Sequence, residues 1–334
     1  MPCAGLSTRF PNLRPKYLLT DYAGRLMIEN AAKNYIGKDR ITIVILKEHD
    51  DKFGARNKLI EAFGHKVDIV TLDKPTSGPA DTVYQAIKKG RINLKDEILI
   101  KDCDGFFDVE PVSGNVIYVS LLSDNPDIRN APAKSYTITN EQNIVTTVVE
   151  KQIVSNSFCV GGYQFSSAEK YVTAFEALQG KVKSEIFVSN IIDYMISNGE
   201  IFCEAKVKNF VDVGTADDWF KYNNKPTYFC DIDGTIIRSA EYNISYDPLY
   251  DNVEKLRKEL ARGCQIVFCT ARPKKYEELT RKILNELGFK DCILIMGVNH
   301  SRRVLINDFA PSNPYPSAVA INLVRDADNL GDMI

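Results

Sequence analysis

The stretch GLSTRFPNLRPKYLL, Gly5–Leu19, gathers one glycine, two hydroxyls and three cations into a short run. A buried apolar face needs none of these, whereas a chain of phosphates could use them all. Gly5 permits a tight turn and close backbone approach. Ser7 and Thr8 offer hydroxyl and amide donors. Arg9 and Lys16 can clamp an anion, Arg as a planar fork and Lys as a point charge. Taken alone, such a loop reads as a basic surface turn, so the rest of the chain has to decide.

The chain has 334 residues, room for two domains. Its formal charge of -2 gives no general signature for nucleic acid, so any phosphate site must be local. Eight cysteines form no C-x-x-C pair, and a reduced cytosolic chain is expected. Three histidines, His49, His65 and His300, lie far apart, which disfavours a histidine-rich metal site or a serine–histidine triad. No apolar run approaches the roughly 18 residues of a membrane span.

Working outward from the loop, RITIVIL, KVDIVTL and DEILIKDCD read as strands. GRLMIENAAKNYI (24–36), RNKLIEAFG and ADTVYQAIKKG read as helices. This alternation predicts βαβ units and a mostly parallel sheet. GNVIYVSLL and AKSYTIT then form a β-rich region broken by SDNPDIRNAP. NNKP, residues 223–226, marks a linker between a first domain (1–222) and a second (227–334). The second repeats the pattern with TYFCD, NVEKLRKELARG, QIVFCT, KKYEELTRKILNELG, CILIMG and RVLIND. The fold class expected is α/β, with two α/β domains.

The G-L-S-T-R loop followed by P-K resembles the signature of sugar-phosphate nucleotidyltransferases, and further matches follow in order. TSGPADTVYQAI, with Gly78, resembles the base-recognition loop and helix of that family. ILIKDCDGFF resembles its magnesium-binding strand end, with Asp104 the better match and Asp102 the second. VVEKQIVSNSFCVGGYQF resembles the segment meeting sugar and phosphate, through Glu150 and Lys151, ahead of Gly161 and Gly162. NFVDVGTADDW resembles the segment with the second magnesium ligand, here Asp212. Singly, each has a plain reading: a strand ending in a polar turn, a turn cap, a solvated lysine. The resemblance implies a GT-A-like, Rossmann-like mixed sheet over residues 1–222. It also implies transfer of a nucleotidyl group from a nucleoside triphosphate to a phosphorylated sugar or polyol, with Mg2+. The SGPADT loop leans towards CTP or UTP. One departure is that the family places a strand before the glycine loop where only MPCA stands here, so a misplaced or truncated start is expected.

YFCDIDGTIIRS (228–239) resembles motif one of haloacid-dehalogenase-type (HAD-like) phosphatases, IVFCTARP motif two, and VLINDFAP motif four. The resemblance implies Asp231 as nucleophile, Asp233 as acid and base, and Thr270 as a phosphoryl-binding hydroxyl. Asp231, Asp233 and Asp308 would hold Mg2+. Arg303 and Lys282 compete as the nearby cation, and Asn307 stands where many relatives carry a second acid. Residues 234–269 leave no room for a sizeable cap, so a capless phosphatase domain is expected, closed by a neighbouring subunit, the other domain or a large substrate. The whole reads as a bifunctional cytoplasmic enzyme of surface-polysaccharide precursor synthesis, a monomer or a homo-oligomer, without nucleic-acid or membrane partners. Two alternatives stand beside it. One is a glycosyltransferase-like domain fused to a phosphatase, although such an enzyme has no pyrophosphate to clamp. The other is a phosphatase with a non-catalytic nucleotide-sensing domain.

Overall fold

The computed structural model describes residues 1–37, 40–64, 67–110, 112–128, 130–182, 185–239, 246–308 and 318–334. The sequence readings that fall on His65, Lys66, Arg129 and residues 309–311 lie outside these. The chain divides into two units, Met1–Asn223 and Asn224–Ile334. Both mix helices with strands. Among the described residues no helix is long and apolar enough to cross a membrane.

The strands of the first unit are β1 (Thr42–Leu46), β2 (Asp68–Leu72), β3 (Ile98–Lys101), β4 (Gly105–Asp108), β5 (Val116–Leu121), β6 (Ser135–Thr139), β7 (Val145–Glu150), β8 (Ser157–Phe165), β9 (Cys203–Lys206) and β10 (Lys208–Asp212). Its helices are α1 (Met27–Ala32), α2 (Lys47–Phe53), α3 (Ala55–Phe63), α4 (Pro79–Lys89), α5 (Ala168–Leu178), α6 (Val188–Ser197) and α7 (Ala216–Asn223). β1 and β2 pair in parallel. Met1–Cys3 runs along the other edge of β1 as a strand end, with Cys3 N donating to Val44 O at 2.9 Å and the Met1 ammonium to Thr42 O at 2.7 Å. The helix expected over 24–36 stops at Ala32. Beyond it Ala32 O accepts from Tyr35 N, and the Asn34 amide reaches Phe107 O and Asp108 Oδ1 at 3.2 and 3.1 Å. Docking that side chain onto β4 replaces another helical turn.

The larger sheet runs β7-β6-β8-β5-β9, with β3 also on β8. Most of its pairs are antiparallel, β5–β9 alone among them being parallel, so the sheet is mixed. Helices α4, α5 and α6 cover it, and Ile117, Phe165, Tyr171, Ile191 and Phe202 fill that core with essentially no exposure. β8 decides where the site falls. Its start bonds β6 through Phe158–Tyr136, and its end bonds β3 from Gly162 to Phe165. Between these, register against β5 slips at Tyr118/Val119, leaving Val160 and Gly161 as a bulge. Gly161 takes φ +76°, a conformation open to glycine. A cleft opens where β8 changes neighbours.

The second unit holds a parallel sheet of β11 (Thr227–Cys230), β12 (Gln265–Thr270) and β13 (Ile293–Met296), in the order β11-β12-β13. Helices α8 (Tyr250–Ala261) and α9 (Glu277–Glu286) supply Val253, Leu256, Ile283 and Leu284 to a core with Ile232, Ile236 and Phe268. Asn252 is fully buried and ties the C-terminal segment down: its amide donates to Thr235 O and Ala327 O, and its oxygen accepts from Leu330 N. The strand expected at RVLIND does not form. Residues 302–308 are irregular, and Val304, Leu305 and Ile306 are 70, 54 and 91% exposed. A strand needs a ladder partner and a covered face, and among the described residues this apolar run finds neither.

Candidate functional site

Buried apolar anchors hold the basic loop. Phe10, Tyr17 and Leu18 are each at most 2% exposed, while Gly5, Leu6, Thr8 and Arg9, just before Phe10, face solvent. Ser7, at φ +51°, accepts from Lys16 N through its hydroxyl at 3.1 Å, folding the loop back on itself. The loop's two site cations then converge on one carboxylate. Lys16 Nζ lies 2.6 Å and Arg9 Nη2 3.2 Å from Asp104 Oδ2. Burial works against the charge on Asp104, but Lys16 and Arg9 outweigh it and hold the carboxyl well below the usual range. Burial likewise opposes the charge on Lys16, and Asp104 reverses the balance, raising the ammonium above its ordinary value.

Asp102 differs from its neighbour. Burial, then the charge of Asp104, pushes its carboxyl up. It lies against the β8 bulge, where its amide donates to Gly161 O at 2.8 Å. Beneath both sits Lys101, 3% exposed, whose ammonium donates to Asp102 O and Gly105 O and so braces the turn bearing the two acids. Burial lowers the Lys101 pKa to about 8.

These groups open onto a cleft of ≈ 200 Å³ whose lining includes Arg9, Asp102, Asp104, Lys134, Glu150 and Asp212. β10 brings Asp212 beside Asp104 by pairing with β4, Asp212 opposite Gly105. A Cβ built on Gly214 would stand 3.0 Å from Asp212 Oδ1, 3.2 Å from Arg9 Nη1 and 3.6 Å from Asp104 Oδ2, so the three groups meet at one point. Across the cleft, Glu150 Oε2 accepts from Ser135 at 2.6 Å and from Ser189 at 2.8 Å. Lys134 Nζ lies 2.5 Å from Asp212 Oδ2.

Several residues picked from sequence stand elsewhere. Lys151 is exposed, with its ammonium 4.5 Å from the centre of the Phe187 ring. Gly161, not Gly162, lines the cleft; a Cβ on Gly162 would meet Phe107 and Tyr118 within 3 Å, which gives that glycine a packing reason. Gly78 precedes α4, pressed by the Glu185 side chain, while the next residue, Pro79, reaches the cleft. Lys134, Ser135 and Ser189 carry no motif, and only the pairing of β6 with β7 and the packing of α6 bring them to Glu150. A larger cavity of ≈ 850 Å³ between β1 and β3 is lined by none of the residues chosen from sequence.

Asp104, in the turn between β3 and β4, and Asp212, at the end of β10, face one cleft and form a donor set of the kind that holds magnesium together with phosphate oxygens. Each already faces a cation of the chain, so the cleft is built to balance charge there. Among the described residues no group of three or more His, Cys, Asp or Glu forms a closed metal cage.

In the second unit, Asp231 follows β11 and Thr270 ends β12, on adjacent parallel strands. Arg303 Nη2 donates to Asp231 Oδ1 at 3.0 Å and to Cys269 O at 3.2 Å. Lys282 instead stands 73% exposed on α9, 3.9 Å from Glu286, a helix-face charge. Arg272 is 4% exposed and grips Asp233 with both arms, Nε to Oδ2 at 2.8 Å and Nη2 to Oδ1 at 2.6 Å. That fork occupies both carboxylate oxygens of Asp233. Thr270 is buried and its hydroxyl accepts from Arg272 N. Asp308 lies exposed in the irregular segment.

No protein-family model matches the chain, and no curated protein sequence matches it. Solved structures do match, over the N-terminal part. A nucleoside-diphosphate-sugar pyrophosphorylase from Vibrio cholerae aligns at 19% identity and a TM-score of 0.57, covering 66% of this chain and 97% of that one. An inositol-1-phosphate CTP transferase from T. maritima aligns at 16% identity and 0.51, covering 65% and 88%. A CTP:phosphocholine cytidylyltransferase from Streptococcus pneumoniae aligns at 16% and 0.50, covering 66% and 95%. What the first unit shares with them is the fold.

Proposed function

We propose that the N-terminal unit transfers a nucleotidyl group from a nucleoside triphosphate, CTP or UTP by preference, to a phosphorylated sugar or polyol. The observation that carries this reading is the meeting of Arg9, Asp104 and Asp212 at one point behind the Gly5 loop, with Lys16 bound to the same Asp104. The names of the fold neighbours, which include a CTP transferase and a sugar-nucleotide pyrophosphorylase, support it. A phosphate oxygen of the acceptor would attack the α-phosphorus, the α–β anhydride bond would break, and its electron pair would leave with pyrophosphate. No protein nucleophile is required, because the acceptor is already an anion. The protein's task is to align two anions and offset their repulsion. Arg9 and Lys16 neutralise the departing pyrophosphate, and Gly5, Ser7 and Thr8 let the backbone approach it. Magnesium held by Asp104 and Asp212 would supply further charge neutralisation at the phosphates.

For the C-terminal unit we propose hydrolysis of a phosphomonoester from the same pathway, a surface-polysaccharide precursor in the cytoplasm. Support comes from Asp231 and Thr270 on neighbouring strand ends with Arg303 against Asp231. Asp231 would attack phosphorus and expel the alkoxide, and water would then cleave the aspartyl-phosphate. Asp233 would protonate the leaving oxygen and then activate that water. Asp231, Asp233 and Asp308 are the residues that would hold magnesium in this unit.

The test is a matrix of nucleoside triphosphates against phosphorylated sugars and polyols, read by pyrophosphate release, with D104N and D231N alongside. D104N is expected to lower transfer by about 100-fold or more and leave phosphate release intact. D231N should do the reverse. Transfer undiminished in D104N would refute the first assignment, and undiminished phosphate release in D231N the second.

A further inference from the structure

We propose that Lys134 is the cation that receives the acceptor's phosphate, in place of Lys151; the inference rests on the transferase reading of the N-terminal unit. Besides the buried Lys101, four cations stand near the cleft among the described residues, and their positions sort them. Arg9 and Lys16 come from the glycine loop, and both are engaged by Asp104. Lys151 directly follows Glu150, but its backbone turns out of the strand at φ +55°; its ammonium rests on the ring of Phe187, a residue of the cleft wall, and Lys151 itself does not line the cleft. Lys134 lines the cleft itself, with its side chain 20% exposed and its ammonium on Asp212. Its charge also acts on Asp102 and Asp104.

The position of Lys134 is fixed from two sides. Ser135, the next residue, pairs across β6–β7 with Glu150 and donates its hydroxyl to that carboxylate. Lys134 O accepts from Lys151 N at 3.0 Å. One hairpin therefore presents an ammonium and a carboxylate side by side, with the ammonium on the Asp212 side and the carboxylate against Ser189. A phosphorylated polyol has the matching pair of groups: an anion for Lys134 and hydroxyl donors for Glu150. An ammonium carries three donors. It can keep Asp212 and still bond the acceptor's phosphate, lowering repulsion as that oxygen approaches the α-phosphorus. The electron pair of the broken anhydride bond leaves with pyrophosphate.

The experiment uses the full chain as wild type, K134M, K134Q and K151M, with Trp219 fluorescence checking that each folds. The first readout is binding of inorganic phosphate by calorimetry. The second, on whichever substrate pair yields product, is KM for the acceptor against KM for the nucleotide. K134M and K134Q are expected to weaken phosphate about 10-fold or more. They should raise acceptor KM by a similar factor and shift nucleotide KM less than about 3-fold. K151M should lose less than K134M in acceptor KM. Unchanged phosphate affinity and acceptor KM in both Lys134 variants would overturn the assignment, as would a larger loss in K151M. Phosphate binding that depends on Lys134, in a wild type that makes no product with any pair, would sink the transferase reading and leave the anion site standing.

Discussion

Replacing Gly161 with alanine tests the β8 bulge that opens the cleft. At φ +76° an alanine costs about 1–2 kcal/mol of backbone strain. Its Cβ would also stand 2.6 Å from Asp102 Oδ2, 2.8 Å from its Cβ and 3.0 Å from its Cγ. Two of these contacts lie close to the main chain. Asp102 cannot swing clear, because its amide is bonded to Gly161 O at 2.8 Å. Forcing the two apart should cost about 1–3 kcal/mol more, the usual range for overpacking. Gly199 supplies the control: it has φ +89° with nothing within 4 Å, so alanine there bears the backbone cost alone. Urea unfolding followed through Trp219, the chain's one tryptophan, buried in the first unit, reads both variants. G161A should lose about 1–3 kcal/mol more than G199A at unchanged m-value. Equal losses would show that Asp102 does not press on the bulge, and the account of how the acidic turn is positioned would fall.

Lys101 gives a pH prediction. Its folded pKa of about 8 lies below its ordinary 10.5, so between those values the unfolded chain binds more protons. Stability of the first unit should therefore rise with pH from about 8 towards 10, by at most about 3 kcal/mol, and fall back as pH drops through 8. Urea midpoints across that range should slope upwards in wild type and flatten in K101M. In the second unit, R272M strands the Asp233 carboxylate and should cost about 3–5 kcal/mol, seen as faster hydrogen exchange in β12 and α9, with R272K recovering part of it. N252A leaves three backbone groups without their partner. It should cost about 2–4 kcal/mol and remove amide protection at Leu330 first.

The sequence made legible what local chemistry dictates. The glycine loop, the acids after β3 and β10, and the parallel strands of the second unit all announce themselves through composition and period. What escaped depends on distant pairing. Lys134 has no signature around it, and only the antiparallel match of Ser135 to Glu150 brings it to the cleft. Adjacency to Glu150 likewise says nothing about the left-handed turn at Lys151 that sets its ammonium on the Phe187 ring. The strand reading at RVLIND rested on its apolar pattern, which cannot tell whether a ladder partner exists. Arg272 lies inside a quoted motif, yet its fork on Asp233 becomes visible only when β11 and β12 stand side by side.

The hairpin of β6 and β7 has an evolutionary implication. The groups assigned to the triphosphate belong to the opening loop, the turn between β3 and β4 and the end of β10, whereas Lys134, Ser135 and Glu150 all ride on this single supersecondary element. Drift within it could retune which acceptor enters while the nucleotide machinery stays untouched. Transplanting the hairpin between cousins of this scaffold should carry acceptor preference along with it.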